Sequence, residues 1–297
     1  MMKSVERWRK EAKRLHAGGR TLAYWTRGER DETKPWLLLI HGYPTSSWDW
    51  TFVWDGLAKH FRLAAMDMLG FGLSDKPRGI DYEISMQADF QEALLEHLGV
   101  GAAHVLTHDY GNTVGQELLA RHTEGSLSFS VASMAFLNGG LFPEQHRARP
   151  IQKLGLTPLG FLIGLMLTKE RLRRSFDEIY GPETKAADAE IDAHWAMITE
   201  KDGARVLHKL LSYIPQRRLH RERWVGALKE AMIPLRLIDG GADPVSGAHL
   251  YHYYLEQVPN ADAVLFDRIG HYPHTEAPEA VLSAFLEFHR NLKSVPA

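Results

Sequence analysis

The chain has 297 residues, 44% hydrophobic and 24% charged, enough for about two domains or one large α/β domain with an insertion. With 35 Lys plus Arg against 37 Asp plus Glu the formal net charge is −2, so the chain as a whole carries no electrostatic footprint for nucleic acid or an anionic membrane. Zero cysteines exclude disulfides, a catalytic thiolate and any thiolate metal centre.

The N-terminal stretch (Lys3, Glu6, Arg7, Arg9, Lys10, Glu11, Lys13, Arg14) is too charged for a signal-peptide core. The longest apolar run, Leu159 to Leu167, spans nine residues, about half of what a bilayer span needs. A soluble, cytoplasmic protein is therefore expected. Short apolar runs predict strands over Thr21–Thr26, Trp36–Ile40, Arg62–Asp67, Ala103–Thr107, Val131–Leu137, Pro234–Asp239 and Ala263–Phe266. Helical periodicity follows at Ile84–Leu98, Asn112–Arg121, Gly247–Gln257 and Pro278–Asn291. That alternation predicts an α/β fold around a mostly parallel sheet with helices on both faces.

Residues 139–232 break the rhythm, with helical periodicity, Arg-rich patches and no buried strand pattern. They are expected to form a helical cap, or lid, inserted into a core made of 1–138 and 233–297. In open α/β sheets ligands bind beyond the carboxyl ends of the strands, where such a lid would sit. The row Arg217, Arg218, Arg221 and Arg223 reads as a solvated face of that cap, pairing with acidic groups of the core.

Three polar residues each follow a predicted strand. Thr107-His108-Asp109-Tyr110-Gly111 has small residues two before and two after Asp109, which suits a sharp strand-to-helix turn that exposes the central side chain. No Gly-x-Ser-x-Gly occurs, so the serine form of this elbow is absent. The competing reading makes Asp109 a helix cap. Upstream, Ile40 leads into His41-Gly42-Tyr43-Pro44, where the Tyr43 amide, with that of Tyr110, would form an oxyanion hole; the plain alternative is a Gly-Pro turn. Downstream come Asp243, in Gly241-Ala-Asp-Pro244, and His271, in Gly270-His-Tyr-Pro273. The order nucleophile, acid, histidine predicts one catalytic site at one edge of the sheet. A metal site at His271 and His274, or at His249 and His252, lacks a third ligand at helical spacing, so no metal and no cofactor is expected.

These pieces, with His41-Gly-Tyr-Pro-Thr-Ser-Ser-Trp48 and Asp67-Met-Leu-Gly-Phe-Gly-Leu-Ser-Asp-Lys-Pro77, resemble the α/β-hydrolase superfamily, in its epoxide hydrolase and haloalkane dehalogenase group. Asn138-Gly-Gly140, Phe142-Pro-Glu144 and Arg223-Trp-Val-Gly-Ala-Leu228 add a likeness to the mesoderm-specific-transcript-like branch. The resemblance runs from about residue 20 to the end, cap included, and implies the α/β-hydrolase fold.

A carboxylate nucleophile suits displacement at saturated carbon, giving an alkyl ester that a His-activated water then cleaves. The resemblance implies epoxide opening to a diol, with a cap tyrosine protonating the ring oxygen; Tyr213 is the first candidate and Tyr180 the second. Haloalkane dehalogenation is the alternative. The usual halide-binding Trp and Asn positions hold Tyr110 and Tyr43, which leaves Trp195 and Trp224 in the cap as donors. The Arg pair after the nucleophile of fluoroacetate dehalogenases is missing at Asn112 and Gly115. His41, Trp48, Asn138 and Trp195 are candidate pocket residues. The expected partners are a small apolar electrophile and water, with neither nucleic acid nor membrane. A non-catalytic binding protein on the same fold is the further alternative.

Overall fold

The computed structural model describes residues 3–294. Its strands are β1 (Lys13–Ala17), β2 (Arg20–Arg27), β3 (Trp36–Ile40), β4 (Arg62–Met66), β5 (Ala102–Thr107), β6 (Ser130–Leu137), β7 (Leu235–Gly240) and β8 (Asp262–Phe266). They form one sheet in the order β1-β2-β4-β3-β5-β6-β7-β8. β2 runs antiparallel to β1 and β4, and all other neighbours are parallel.

β3 is buried along its whole length, as an unbroken apolar run in a parallel sheet must be when helices cover both faces. Its alternate side chains feed two cores. Trp36, Leu38 and Ile40 face the side of the helices Ile84–His97 and Tyr110–Thr123. Leu37 and Leu39 face Trp25, Trp54 and the C-terminal helix Pro278–Ser294. The expected strands and helices are all present, and so is the expected mostly parallel sheet with helices on both faces.

Several elements were not legible, the short helices Ser47–Phe52, Trp54–Leu57 and Pro273–Glu276 among them. β1 buries only Leu15 and is otherwise polar, because it is an edge strand hairpinned to β2 through Gly18 and Gly19 at φ 55° and 69°. The charged N-terminal stretch contains the helix Val5–Glu11, capped by Ser4 and docked by Trp8, whose ring stacks on Trp25 at 4.5 Å.

Residues 139–232 contain helices and turns and no strand. Their apolar residues Ile163, Leu172, Phe176, Leu207 and Leu210 join the same core as the elbow helix Tyr110–Thr123. No helix among the described residues is long and apolar enough to cross a membrane.

Candidate active site

β5 ends at Thr107 and the next helix begins at Tyr110, so His108 and Asp109 make the whole turn. Asp109 sits at φ 45° and ψ −106°, a conformation that costs a non-glycine residue about 1–3 kcal/mol. The flanking strands hold it there: the His108 amide donates to the Ile40 carbonyl (3.0 Å) and the Asp109 amide to the Asn138 carbonyl (2.8 Å). Gly111 lets the helix close on β3, since a Cβ there would lie 2.4 Å from the Ile40 oxygen. The Asp109 carboxylate makes no capping bond to the helix. It accepts instead from the Tyr43 amide at 3.0 Å. The Tyr110 amide opens the helix and so has no acceptor within it.

Asp243 and His271 follow β7 and β8 and meet. His271 Nδ1 lies 2.7 Å from Asp243 Oδ2, and its Nε2 faces Asp109 Oδ1 at 3.9 Å. Asp243 also accepts from the Val245 amide (2.8 Å), the Ser246 amide (3.1 Å) and hydroxyl (2.8 Å), and Asn138 Nδ2 (3.2 Å). Burial would raise the Asp243 carboxyl, but the His271 charge and these donors pull it down to about 2. For His271 burial would lower the imidazole, yet Asp243, with Asp109 behind it, pushes it up to about 9. All three side chains are almost fully buried.

A cavity of about 310 Å³ opens onto this group. Tyr43, Asp109 and His271 line it on one side; Ile163, Leu172, Phe176, Ile179 and Leu207 from residues 139–232 line it with Val245, alongside the charged Arg149, Arg171, Arg174 and Glu178. Residues 179–184 are tied directly to the loop that carries His271. The His271 amide donates to the Ile179 carbonyl (2.8 Å), and Glu276 accepts from the amides of Gly181 (2.8 Å), Gly270 (2.9 Å) and Tyr272 (3.0 Å) and from Thr184 (2.6 Å).

The sequence profile of the alpha/beta hydrolase fold family matches residues 35–278. The chain belongs to that family. The hydrolase is 41% identical over 262 residues to the mesoderm-specific transcript homolog protein of Bos taurus, covering 85% of this chain and 78% of that one. It is 38% identical over 252 residues to LipZ, named as a hydrolase, of Mycobacterium tuberculosis, with 85% and 87% covered. Among solved structures it is similar to the haloalkane dehalogenase DbeA-M1 loop variant from Bradyrhizobium elkanii (TM-score 0.77, 20% identity, 95% and 97% covered). It is equally similar to the epoxide hydrolase CorEH (TM-score 0.77, 21% identity, 95% and 99% covered).

Several expected site residues of the hydrolase stand elsewhere. His41 does not line the cavity: its Nδ1 faces the Gly42 carbonyl (2.9 Å) and its Nε2 accepts from the Met68 amide (3.1 Å), which braces the loop. Trp48 is buried with its Nε1 on the Lys3 carbonyl (3.0 Å). Asn138 spans β6 and β7, exchanging bonds with Gly240, and reaches the site only through Asp243. Trp195 is partly buried against the core and does not line the cavity, and Trp224 donates to Glu117 at 2.7 Å. The Tyr180 hydroxyl lies between Glu190 (2.6 Å) and Thr275 (2.9 Å), so that network occupies it. The Tyr213 hydroxyl is buried without a hydrogen-bond partner among the described residues. Its ring lies 5.0 Å from Tyr110 and 6.4 Å from Tyr43, although it is not a lining residue of the cavity.

Arg217 corrects the reading of the arginine row. It is 2% exposed, lies over the Tyr213 ring at 4.4 Å, and donates to Thr113 (2.6 Å) and to the Asp109 carbonyl (3.1 Å). Arg221 and Arg223 do pair with acids, at Glu144 and at Glu117 with Glu124. Sequence reasoning weighed His274 only with His271 and passed over Asp49 and His108; these three are wholly buried, with ligand-type atoms within 4.8 Å of one another. They are far apart in sequence, so no local spacing announces them. His271 is bonded to Asp243, and His249 Nε2 lies 3.1 Å from the Gln145 carbonyl.

Proposed function

We propose that this hydrolase opens an epoxide to a diol through a covalent ester on Asp109. The observation that carries the reading is a strained, almost fully buried carboxylate under the Tyr43 amide, faced by the His271–Asp243 pair. Asp109 attacks a ring carbon, the C–O bond breaks, and the ring oxygen takes a proton from Tyr213. Tyr213 suits that part because its buried hydroxyl is otherwise unpaired and Arg217 sits over its ring. His271 then takes a proton from water as the water attacks the ester carbonyl; the Tyr43 and Tyr110 amides hold the tetrahedral oxyanion, whose collapse releases the diol.

The charges support this order. In the free enzyme two carboxylates hold His271 protonated, and alkylation of Asp109 removes one of them. The imidazole then becomes a better base just when a base is needed: its proton returns to the Tyr213 phenolate, the proton it next takes from water passes to the departing alkoxide, and the Asp109 acid left behind gives its proton back to His271. Residues 139–232 act as the lid that keeps bulk water from the ester. The halide alternative is disfavoured because no tryptophan lines the cavity and the Trp224 indole is held by Glu117. Turnover of a panel containing styrene oxide, an aliphatic epoxide, a bromoalkane and a p-nitrophenyl ester tests the reading: epoxide turnover abolished by Asp109→Asn is expected, and turnover of only the bromoalkane or the ester contradicts it.

A further inference from the structure

The helical hairpin formed by Pro150–Gly155 and Leu162–Met166 presents apolar side chains outward. Ile151, Leu156, Leu159, Phe161, Leu165 and Met166 are all exposed, Leu165 by 71%. They are six of the nine large hydrophobic residues exposed among those described, gathered in one short stretch, so this is a patch rather than scatter. It contains most of the chain's longest apolar run.

Charge is segregated around it. From residue 145 to 169 the sequence has Arg147, Arg149, Lys153 and Lys169 and no Asp or Glu. The nearest acids are already engaged: Glu144 by Arg221, Glu170 by Arg174 and Glu178 by Arg149. Arg147, Lys153 and Arg171 have no ion-pair partner among the described residues. A net charge of −2 for the whole chain hides this local excess of cation. The hairpin adjoins the cavity mouth, since its exposed Ile151 and Met166 are also lining residues of the cavity, as is Arg171 of the following helix Lys169–Ile179.

We propose that this hairpin docks the protein onto the surface of a bilayer containing anionic phospholipid, with the cavity mouth turned toward the lipid. The hairpin can lay these apolar side chains at the headgroup boundary, while the unpaired cations beside it meet lipid phosphates. The substrate class that follows is an apolar molecule dissolved in the membrane, which would enter the cavity past Ile151 and Met166 without crossing water.

Flotation of the full chain with vesicles tests the docking without reference to catalysis, so its failure and that of the epoxide reading are separate results. With phosphatidylglycerol present in phosphatidylcholine vesicles, roughly tenfold more protein should float than with phosphatidylcholine alone, and high salt should remove the difference. Leu159→Asp with Phe161→Asp and Leu165→Asp should abolish flotation at an unchanged thermal midpoint. Leu165→Gln alone, at the most exposed position, should lower it several-fold and serves if the triple variant fails to fold. No flotation, equal flotation on both vesicles, or flotation untouched by these variants overturns the proposal. So does a concentration-dependent dimer that the variants dissolve, which would make the hairpin a contact between copies of this chain.

Discussion

His271 is where the chemistry and the stability of the site meet. Its folded pKa of about 9 lies above the ordinary 6.5, so its bond to Asp243 stabilises the fold fully below pH 6.5 and loses that contribution as pH rises toward 9. Asp243, held down to about 2 from 3.8, gives its share above pH 3.8 and loses it as pH falls toward 2. The unfolding free-energy difference between wild type and His271→Gln should therefore be largest near pH 5 to 6 and shrink by pH 9, as read from denaturant melts across pH. Asp49 works in the opposite sense at high pH. Burial pushes it up to about 7, so the cost of its charge is absent below pH 3.8 and grows until pH passes 7. Asp49→Asn should accordingly gain thermal midpoint relative to wild type as pH rises from 4 to 8. At Tyr213 the question is a single hydroxyl: Tyr213→Phe should slow single-turnover alkylation by an epoxide about 10²–10⁴-fold and leave a bromoalkane nearly unaffected.

At the scale of elements, the elbow and the cap junction carry the geometry. Gly111→Ala would drive a methyl into the Ile40 carbonyl, which a strand cannot move aside cheaply. It should cost about 1–3 kcal/mol of stability in denaturant melts and disturb Asp109 as well. The elbow was legible because its two requirements, an apolar strand and small residues on both sides of Asp109, are local. Glu276 was not legible, since its four donors come from Gly181, Thr184, Gly270 and Tyr272 on two separate segments. Tyr180 and Arg217 were misread for a similar reason. Spacing put a tyrosine and an arginine in the cap, but only tertiary packing decides that Glu190 engages the first and that the second turns inward over Tyr213.

Across the whole molecule, the sheet, the meeting of Asp109, Asp243 and His271 at one edge and the helices of 139–232 followed from periodicity and chain order, which report burial on two faces and the strand ends that share an edge. What periodicity does not report is which face of the cap reaches the floor of the cavity, hence the displaced His41, Trp48 and Trp195. The central claim is an ester on Asp109, formed in one half-reaction and cleaved in the other. Intact-protein mass spectrometry of His271→Gln after addition of an epoxide tests it most directly. The account predicts a stable gain equal to the whole mass of the epoxide, mapping to the peptide that contains Asp109, because alkylation proceeds and hydrolysis lacks its base. An unmodified His271→Gln protein under conditions where wild type turns the epoxide over, or an adduct on any other residue, would contradict it.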